Sequence, residues 1–287
     1  MIRRNAVRPG SRVRTRSRHL VLALLPPVLL AALLPACGGT ASKGGTSSAS
    51  IGGVEPPAKR CGPPARPAQL VTLRTADGVR LDGAIVGAGA RGVVLVHEKG
   101  GSVLCGWWPY AAHLAEDGFH VLLFDLRCAG LSECPNEGER DIVEDVAAAV
   151  HELRARGASS IELVGASYGG SVALVAAARL EELSALADLS GDLLRASIGG
   201  RGGPTTAWRA TADVHVPTLL AVAKEDAYVD LSEERALYRR LASTRKRLIV
   251  LPAGAGHGWT MLVGASGRWS RFERTLTAFL ADHARAP

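Results

Sequence analysis

The chain has 287 residues, of which 34 are lysine or arginine and 27 are aspartate or glutamate. Seven arginines lie within residues 1–18, which contain no acidic residue, so the rest of the chain has equal numbers of basic and acidic side chains. The positive charge therefore belongs to the N-terminus and does not indicate a nucleic-acid-binding surface. The length beyond residue 69 fits one domain.

An apolar stretch from Leu20 to Leu34 follows the arginines and ends in small residues. A basic segment, a short apolar segment and small residues in that order are typical of a secretory signal. Pro26 and Pro27 interrupt the stretch, which is shorter than the roughly 20 apolar residues that a transmembrane helix needs. We therefore predict a signal peptide over residues 1–36 and an extracytoplasmic location.

Cys37 stands at the predicted cleavage point, in Leu34-Pro35-Ala36-Cys37-Gly38. This placement resembles the lipobox of bacterial lipoproteins and implies a lipid anchor on Cys37 that holds the protein at the cell membrane. Pro35 departs from the common pattern, and a plain secretory signal or an uncleaved anchor are the alternatives. Residues 37–69 are rich in glycine, serine, alanine and proline, which predicts a flexible tether to a domain over residues 70–287.

Strand and helix patterns alternate through that domain. Val71 to Val86 reads as a hairpin around Asp77-Gly78. Asp141–Arg156 has one apolar face, an acidic first turn and Gly157 at its end, as expected of a helix. Six further strands are predicted: Val93–Val96, Val121–Phe124, Ile161–Val164, Ala187–Leu189, Leu219–Ala223 and Leu248–Leu251. The alternation predicts an α/β fold with a mostly parallel central sheet flanked by helices on both faces.

Ser167 lies in Gly165-Ala166-Ser167-Tyr168-Gly169, between an apolar strand and a helix of small residues. A tight turn of this kind holds the hydroxyl out at its tip and points the next backbone N–H to the same place. In a chain with 33 glycines the pattern alone is weak evidence, and a helix cap is the alternative role for Ser167. The neighbouring strand and the residues downstream favour a nucleophile.

His257 follows the last predicted strand in a glycine-rich loop, where ligand chemistry collects in open α/β sheets. It is the best candidate for the base of Ser167, because His215 and His283 have structural explanations. A nucleophile of this type also needs a carboxylate that orients the base, in the chain order Ser, Asp or Glu, His.

The loop after Leu219–Ala223 supplies the candidate acids. Asp226 is the first choice and Glu225 the second. Asp230 has an alternative role as a helix cap, and Asp192, after an earlier strand, is a less favoured acid. An exposed acidic loop is the alternative to all of these roles.

These segments together resemble the α/β-hydrolase superfamily, and within it the dienelactone-hydrolase-like members without a lid. The resemblance covers about residues 70–283. Besides the segments around Ser167, Asp226 and His257, it is carried by Val93–Gly101 and by Phe124–Ser132, where Cys128 stands in place of the usual glycine. It implies an α/β-hydrolase fold with little or no cap domain and a catalytic triad of Ser167, Asp226 and His257.

The resemblance also implies an oxyanion hole formed by the backbone N–H groups of Lys99 and Tyr168. Glu98 stands where many members have glycine, in a His-Glu pattern closer to the dienelactone type, whose enzymes use cysteine as the nucleophile. Glu98 is therefore a candidate modulator of Ser167, with packing beside it as the alternative. We predict no cofactor and no metal, since the cysteine spacings do not match a zinc site.

Four cysteines remain after Cys37, and an even number in an exported protein favours disulfides. Cys128 and Cys134 flank a short loop, which favours that pair and leaves Cys61 with Cys105. Free buried cysteines are the alternative. Several aromatic residues are expected near the catalytic edge, as an acyl pocket or as plain core: Trp107, Trp108, Tyr110, Tyr228 and Trp259.

The sequence thus predicts a lipid-anchored extracytoplasmic serine hydrolase. Its substrate would be a small acyl compound with an ester-like bond, with thioesters, lactones and peptide bonds left open. The alternative is a surface lipoprotein without catalysis that uses the same fold to bind a ligand or partner.

Overall fold

The computed structural model describes residues 60–62, 67–101, 103–135, 141–192, 198 and 205–284. The predicted signal peptide, Cys37 and most of the predicted linker lie outside these residues. No helix within the described ranges is long and apolar enough to cross a membrane.

In the described residues, strands and helices alternate along most of the domain. The strands are β1 (Ala68–Arg74), β2 (Arg80–Val86), β3 (Arg91–Val96), β4 (His120–Phe124), β5 (Ser160–Ala166), β6 (Ala185–Leu189), β7 (Thr218–Ala223) and β8 (Lys246–Leu251). The α-helices are α1 (Trp108–Glu116), α2 (Ile142–Ala155), α3 (Tyr168–Ala177), α4 (Ala207–Ala210), α5 (Leu231–Arg240) and α6 (Arg271–His283). Short 3-10 helices lie at Val103–Trp107, Thr211–Asp213 and Gly258–Leu262.

These strands form one open sheet in the order β1-β2-β4-β3-β5-β6-β7-β8. The β1–β2 and β2–β4 pairs are antiparallel, and every later pair is parallel. Val93 of β3, for example, pairs with Val121 of β4 and with Glu162 of β5. The loops after the parallel strands therefore meet at one edge of the sheet, where open α/β sheets bind their ligands.

Helices cover both faces of the sheet, and strands β4 to β7 are buried along their whole length. One apolar cluster packs α2 and α3 against the sheet, with Val146 and Val172 among its members. A second cluster packs α1 and α6 on the opposite face, with Leu114 and Leu276 among its members. Because both faces are covered, the central strands read as continuous apolar runs, as parallel strands usually do. The predicted fold class is confirmed.

Helix α2 shows how local sequence sets an element. Asp141 caps its start, and its Oδ1 accepts a hydrogen bond of 3.1 Å from the Val143 amide. Val150 and Leu153 lie on the buried face, and Gly157 follows the helix with φ of 94°. The left-handed conformation at Gly157 ends the helix at little steric cost. The predicted helix over Asp141–Arg156 is confirmed, with both end residues serving as caps.

Two disulfides fix the outer parts of the fold. Cys61 is bonded to Cys105, and Cys128 to Cys134, which are the two pairs that the sequence favours. The carbonyl of Gly62 also accepts a hydrogen bond of 3.0 Å from the Trp108 indole. β1 begins two residues before the predicted domain boundary at residue 70, so residues 60–62 and 68–69 lie against the fold.

Candidate active site

Ser167 occupies a sharp turn between β5 and α3. Its backbone has φ of 52° and ψ of −123°, and the residue is only 6% exposed. A Cβ on Gly165 would lie 2.2 Å from the Gly169 carbonyl oxygen, and one on Gly169 would lie 2.3 Å from the Val96 oxygen. Only glycine fits at those two positions. The left-handed φ of a non-glycine residue is costly, and such strain is concentrated at functional sites.

His257 and Asp226 lie together at the same edge of the sheet. The Nδ1 atom of His257 is 2.9 Å from Asp226 Oδ1 and 3.0 Å from Oδ2. The Asp226 side chain is fully buried, and that of His257 is 14% exposed. A carboxylate can only accept hydrogen bonds, so Nδ1 is the nitrogen that donates to Asp226. In the neutral imidazole with its proton on Nδ1, Nε2 keeps its lone pair and can accept a proton.

Further hydrogen bonds hold the Asp226 side chain and the His257 backbone. Asp226 Oδ1 also accepts from the amides of Tyr228 at 2.9 Å and Val229 at 3.2 Å. Thr260 Oγ1 accepts from the His257 amide at 2.9 Å and donates to the His257 carbonyl at 2.7 Å. The Tyr228 ring lies 4.7 Å from the His257 ring, centroid to centroid. Both members of the pair are therefore fixed before any substrate binds.

The other candidate acids take different positions. Glu225 is exposed, and Asp230 caps α5 by accepting 2.7 Å from the Ser232 amide. Asp192 lies beside the serine turn, where its amide donates 3.3 Å to the Ser167 carbonyl. Burial raises the pKa of Asp192, against the opposing effects of His257, the Ser167 hydroxyl and Lys99. Among these acids, Asp226 is the one that contacts His257.

The backbone amides of Lys99 and Tyr168 lie in the loop after β3 and at the first position of α3. Gly169 packs against the carbonyls of Val96 and His97, which brings the start of α3 close to the end of β3. Within the described residues, neither amide donates to another protein group. The Lys99 ammonium lies 4.5 Å above the Tyr168 ring, which joins the two segments again.

His97 holds the loop after β3 in place. Its Nδ1 donates 2.6 Å to the Glu98 carbonyl, and its Nε2 accepts 3.0 Å from the Leu126 amide. Burial lowers the pKa of His97, so the ring is neutral and fits both bonds. His97 therefore has a structural role, linking the loop after β3 to the turn after β4.

Glu98 contacts the segment around His257, residues 254–259, which we call the histidine loop. Its Oε1 accepts a hydrogen bond of 3.0 Å from the Trp259 amide. Burial raises the pKa of Glu98, as do the charges of Asp192 and Asp226, while the Trp259 amide and His257 oppose that shift.

The turn after β4 is cross-linked by ion pairs. Asp125 accepts from the Arg60 guanidinium at 2.9 Å and from the amides of Leu104 at 3.1 Å and Leu131 at 3.0 Å. Arg127 bridges Asp77 and Asp145, at 2.7 Å to each. Cys128 has φ of 63°, the backbone conformation for which glycine is the usual residue. Cys128 therefore keeps the turn geometry that glycine would give, and its disulfide to Cys134 stabilises the turn.

A cavity of about 700 Å³ adjoins Tyr168 and Lys99. The loop after β3, the turn after β4 and Arg60 form its walls. Trp107, Trp108 and Tyr110 are buried in the core, which agrees with the core alternative for these three, whereas Tyr228 and Trp259 lie beside His257. Within the described residues, no group of three or more His, Cys, Asp or Glu side chains is placed to hold a metal ion.

Sequence reasoning missed two residues of this region. Thr260 holds the His257 backbone, and its spacing of three residues after an N-terminal helix position is a capping signal that the sequence carries. Arg60 reaches Asp125 across 65 residues, and no local pattern indicates that contact. Cys37 lies outside the described residues.

Comparison with known proteins agrees with the fold. Residues 92–191 match the family model described as alpha/beta hydrolase fold. No curated protein matches the chain. The structure is similar to the Pyrococcus furiosus esterase Pf2001, with a TM-score of 0.66 and 20% identity over 81% of this chain and 97% of that one.

Other solved structures are similar to this chain as well, and two of them illustrate the range. The alpha/beta hydrolase GrgF from Penicillium sp. sh18 has a TM-score of 0.59 and 20% identity, over 76% of this chain and 99% of its own. A predicted dienelactone hydrolase from Klebsiella pneumoniae has a TM-score of 0.58 and 18% identity, over 75% of this chain and 98% of its own. The sheet order, the matched segment and these similarities together show that the chain has the α/β-hydrolase fold.

Proposed function

We propose that the protein is a serine hydrolase that cleaves ester-like bonds through Ser167, His257 and Asp226. One observation carries the proposal: a buried carboxylate holds Nδ1 of His257 at 2.9 Å, at the sheet edge where Ser167 stands in a strained turn. The similar structures include an esterase and hydrolases of the same fold, which supports an ester as the first substrate class to test.

In the proposed mechanism, Ser167 Oγ attacks the carbonyl carbon while His257 Nε2 takes the hydroxyl proton. The amides of Lys99 and Tyr168 donate to the oxyanion, and one such donor contributes about 3 kcal/mol to the transition state. The carbon–oxygen bond then breaks, and His257 returns the proton to the leaving alkoxide. An acyl group remains on Ser167.

Water completes the cycle. His257 takes a proton from a water molecule, whose oxygen attacks the acyl carbon. The bond between that carbon and Ser167 Oγ then breaks, and His257 returns the proton to Oγ, which releases the carboxylic acid and restores the serine. Asp226 stays ionised, keeps the imidazole in the required tautomer and stabilises its charged form. The cavity beside Tyr168 and Lys99 is large enough for a small acyl or alcohol group.

A set of 4-nitrophenyl esters of graded chain length tests this function. The full-length protein should release 4-nitrophenol with saturation kinetics and a preference among chain lengths, and Ser167→Ala should abolish the reaction. Equal activity in wild type and Ser167→Ala would contradict the proposal. Activity in neither, with the ester bound, would favour the non-catalytic binding protein.

We further propose that the protein is exported and anchored to the membrane through a lipid on Cys37. The arginine-rich start, the apolar stretch and Cys37 support this, and two disulfides are typical of an oxidising compartment. Mass analysis of the N-terminal peptide should find lipidated Cys37 at the mature N-terminus, and Cys37→Ala should lose that modification. Cleavage elsewhere with an unmodified Cys37 would remove the lipoprotein proposal but leave export standing.

A further inference from the structure

We propose that Trp259 is a positioning residue for His257, held by Glu98 through its backbone and by Gly106 through its indole ring. The inference rests on the proposed function, because it concerns the placement of the proposed base. It assigns Glu98 a role as a hydrogen-bond acceptor for the histidine loop, in place of a direct action on the nucleophile.

Glu98 ties two loops of the site together. Its Oε1 lies 3.0 Å from the Trp259 amide, and a Cβ on Gly258 would lie 2.0 Å from the same oxygen. The carboxyl group is therefore pressed against the backbone directly after His257. Glu98 precedes Lys99, whose amide is a proposed oxyanion donor, so one side chain fixes the distance between that donor and the base.

The indole of Trp259 sits on the backbone of Gly106. A Cβ on Gly106 would lie 2.1 Å from Cζ2 of the indole, so no other residue fits beneath the ring. The ring also meets Trp107 edge to face, with 5.6 Å between centroids. Gly106 lies between Cys105, which is bonded to Cys61, and the fully buried Trp107. The backbone beneath the indole is thus restrained on one side by the disulfide of Cys105 and on the other by the buried Trp107.

The histidine loop needs such an external restraint. Gly256 and Gly258 flank His257 with φ of 97° and 54°. Among the residues that the structure describes, the Thr260 side chain bonds only to the His257 backbone, within the same turn. Asp226 holds the imidazole ring through Nδ1, and within the described residues it makes no hydrogen bond to the backbone of residues 256–258. Trp259 is the residue after Gly258 that fastens this backbone to the rest of the domain.

The first test compares two tryptophans in the full-length protein. Trp259→Ala should lower kcat on the best 4-nitrophenyl ester by about 10- to 100-fold, because a misplacement near 1 Å costs that much, while KM changes by less than threefold. The control is Trp269→Ala, which removes a tryptophan that packs on His113 and Tyr110. Its kcat should stay within about threefold of wild type. Equal kcat losses in the two variants would overturn the proposal.

Circular dichroism and thermal unfolding show whether each variant is folded. If Trp259→Ala does not fold, Trp259→Phe and Trp269→Phe take the places of the two variants, and a kcat loss confined to Trp259→Phe supports the proposal. Wild-type protein without ester hydrolysis would overturn the proposed function and this inference together. If the wild type hydrolyses the ester and the Trp259 and Trp269 variants lose kcat equally, this inference alone is overturned.

The second test asks whether Glu98 acts through its hydrogen-bond acceptor or through its negative charge. Glu98→Ala should lower kcat by about tenfold, since the Trp259 amide loses its buried acceptor. Glu98→Gln keeps an oxygen acceptor without the charge and should restore kcat to within about threefold of wild type. A Glu98→Gln variant as slow as Glu98→Ala would show that the charge matters and would overturn the acceptor role.

Discussion

Two histidine–carboxylate pairs of nearly equal length lie in different parts of this molecule. His257 Nδ1 is 2.9 Å from Asp226 at the carboxyl edge of the sheet, and His113 Nε2 is 3.0 Å from Glu273 between α1 and α6. Both carboxylates are buried, and both histidines are partly exposed. Distance alone therefore does not distinguish an active site from a structural bridge.

The backbone that carries the neighbouring hydroxyl group makes the difference. Near His113, Thr277 Oγ1 donates 2.7 Å to Glu273 and lies 3.1 Å from the Tyr110 hydroxyl, within a regular helix. The Thr277 hydroxyl is thus bonded to Glu273. The His113 ring stacks on the Trp269 ring, with 4.8 Å between the ring centroids. Near His257, the Ser167 hydroxyl bonds the Asp192 carboxylate, but Ser167 stands in a strained turn beside the proposed oxyanion donors. A histidine–acid pair becomes a candidate catalytic site when it lies beside such a hydroxyl.

The largest expected effect is on turnover at the first pair. Ser167→Ala and His257→Ala should each lower kcat by at least about 10⁴-fold, with little change in Tm. His113→Ala should leave kcat within about threefold but lower the free energy of unfolding by about 1 kcal/mol, because the buried Glu273 loses the hydrogen bond from His113 and keeps the one from Thr277. Steady-state kinetics and thermal unfolding of the three variants measure this contrast, and a large kcat loss in His113→Ala would contradict it.

The acids provide the next comparison. Asp226→Asn should lower kcat by about 10²- to 10⁴-fold, because the amide favours the wrong tautomer of His257. Glu225→Gln and Glu273→Gln should change kcat by less than about threefold, since neither carboxylate contacts His257. Kinetic assays on the three conservative variants decide the matter. A larger loss in Glu225→Gln than in Asp226→Asn would reverse the assignment of the acid.

A smaller effect is expected from the two threonines. Thr260→Val should lower kcat by about tenfold with KM nearly unchanged, because the His257 backbone loses two hydrogen bonds to Thr260 Oγ1. Thr277→Val removes a hydroxyl of the second pair and should leave kcat unchanged. Equal kcat values for both variants would show that the Thr260 hydroxyl does not position the base.

Glu162 is a buried carboxyl group that accepts no hydrogen bond from a histidine among the described residues, and it should make the free energy of unfolding depend on pH. Burial raises the pKa of Glu162 to about 8, while Arg91 and Arg154 oppose that shift. The folded state therefore binds this proton more tightly than the unfolded state. The associated stability is fully present below the unfolded pKa of about 4.3 and is lost as pH rises towards 8. Urea unfolding at several pH values should show this decline, and Glu162→Gln should make it smaller. An unchanged pH dependence in the variant would contradict the assignment.

The sequence predicted those parts of the site that follow from local patterns. The glycines at 165 and 169, the short strands and the loop positions of Asp226 and His257 are all set within about ten residues of chain. The disulfide pairs also followed from spacing. The pairing of β4 with both β2 and β3, the bond of Glu98 to Trp259 and the pair of His113 with Glu273 did not. These contacts join segments that are distant in sequence and depend on how the sheet is crossed.

The most direct test of the central claim is the site of labelling by a fluorophosphonate. The reagent reacts with a serine that an adjacent base activates. Peptide mass spectrometry of the treated wild-type protein should place the label on Ser167, and His257→Ala should lose the labelling while His113→Ala keeps it. A label on another serine, or equal labelling of wild type and His257→Ala, would contradict the assignment of Ser167 and His257 as nucleophile and base.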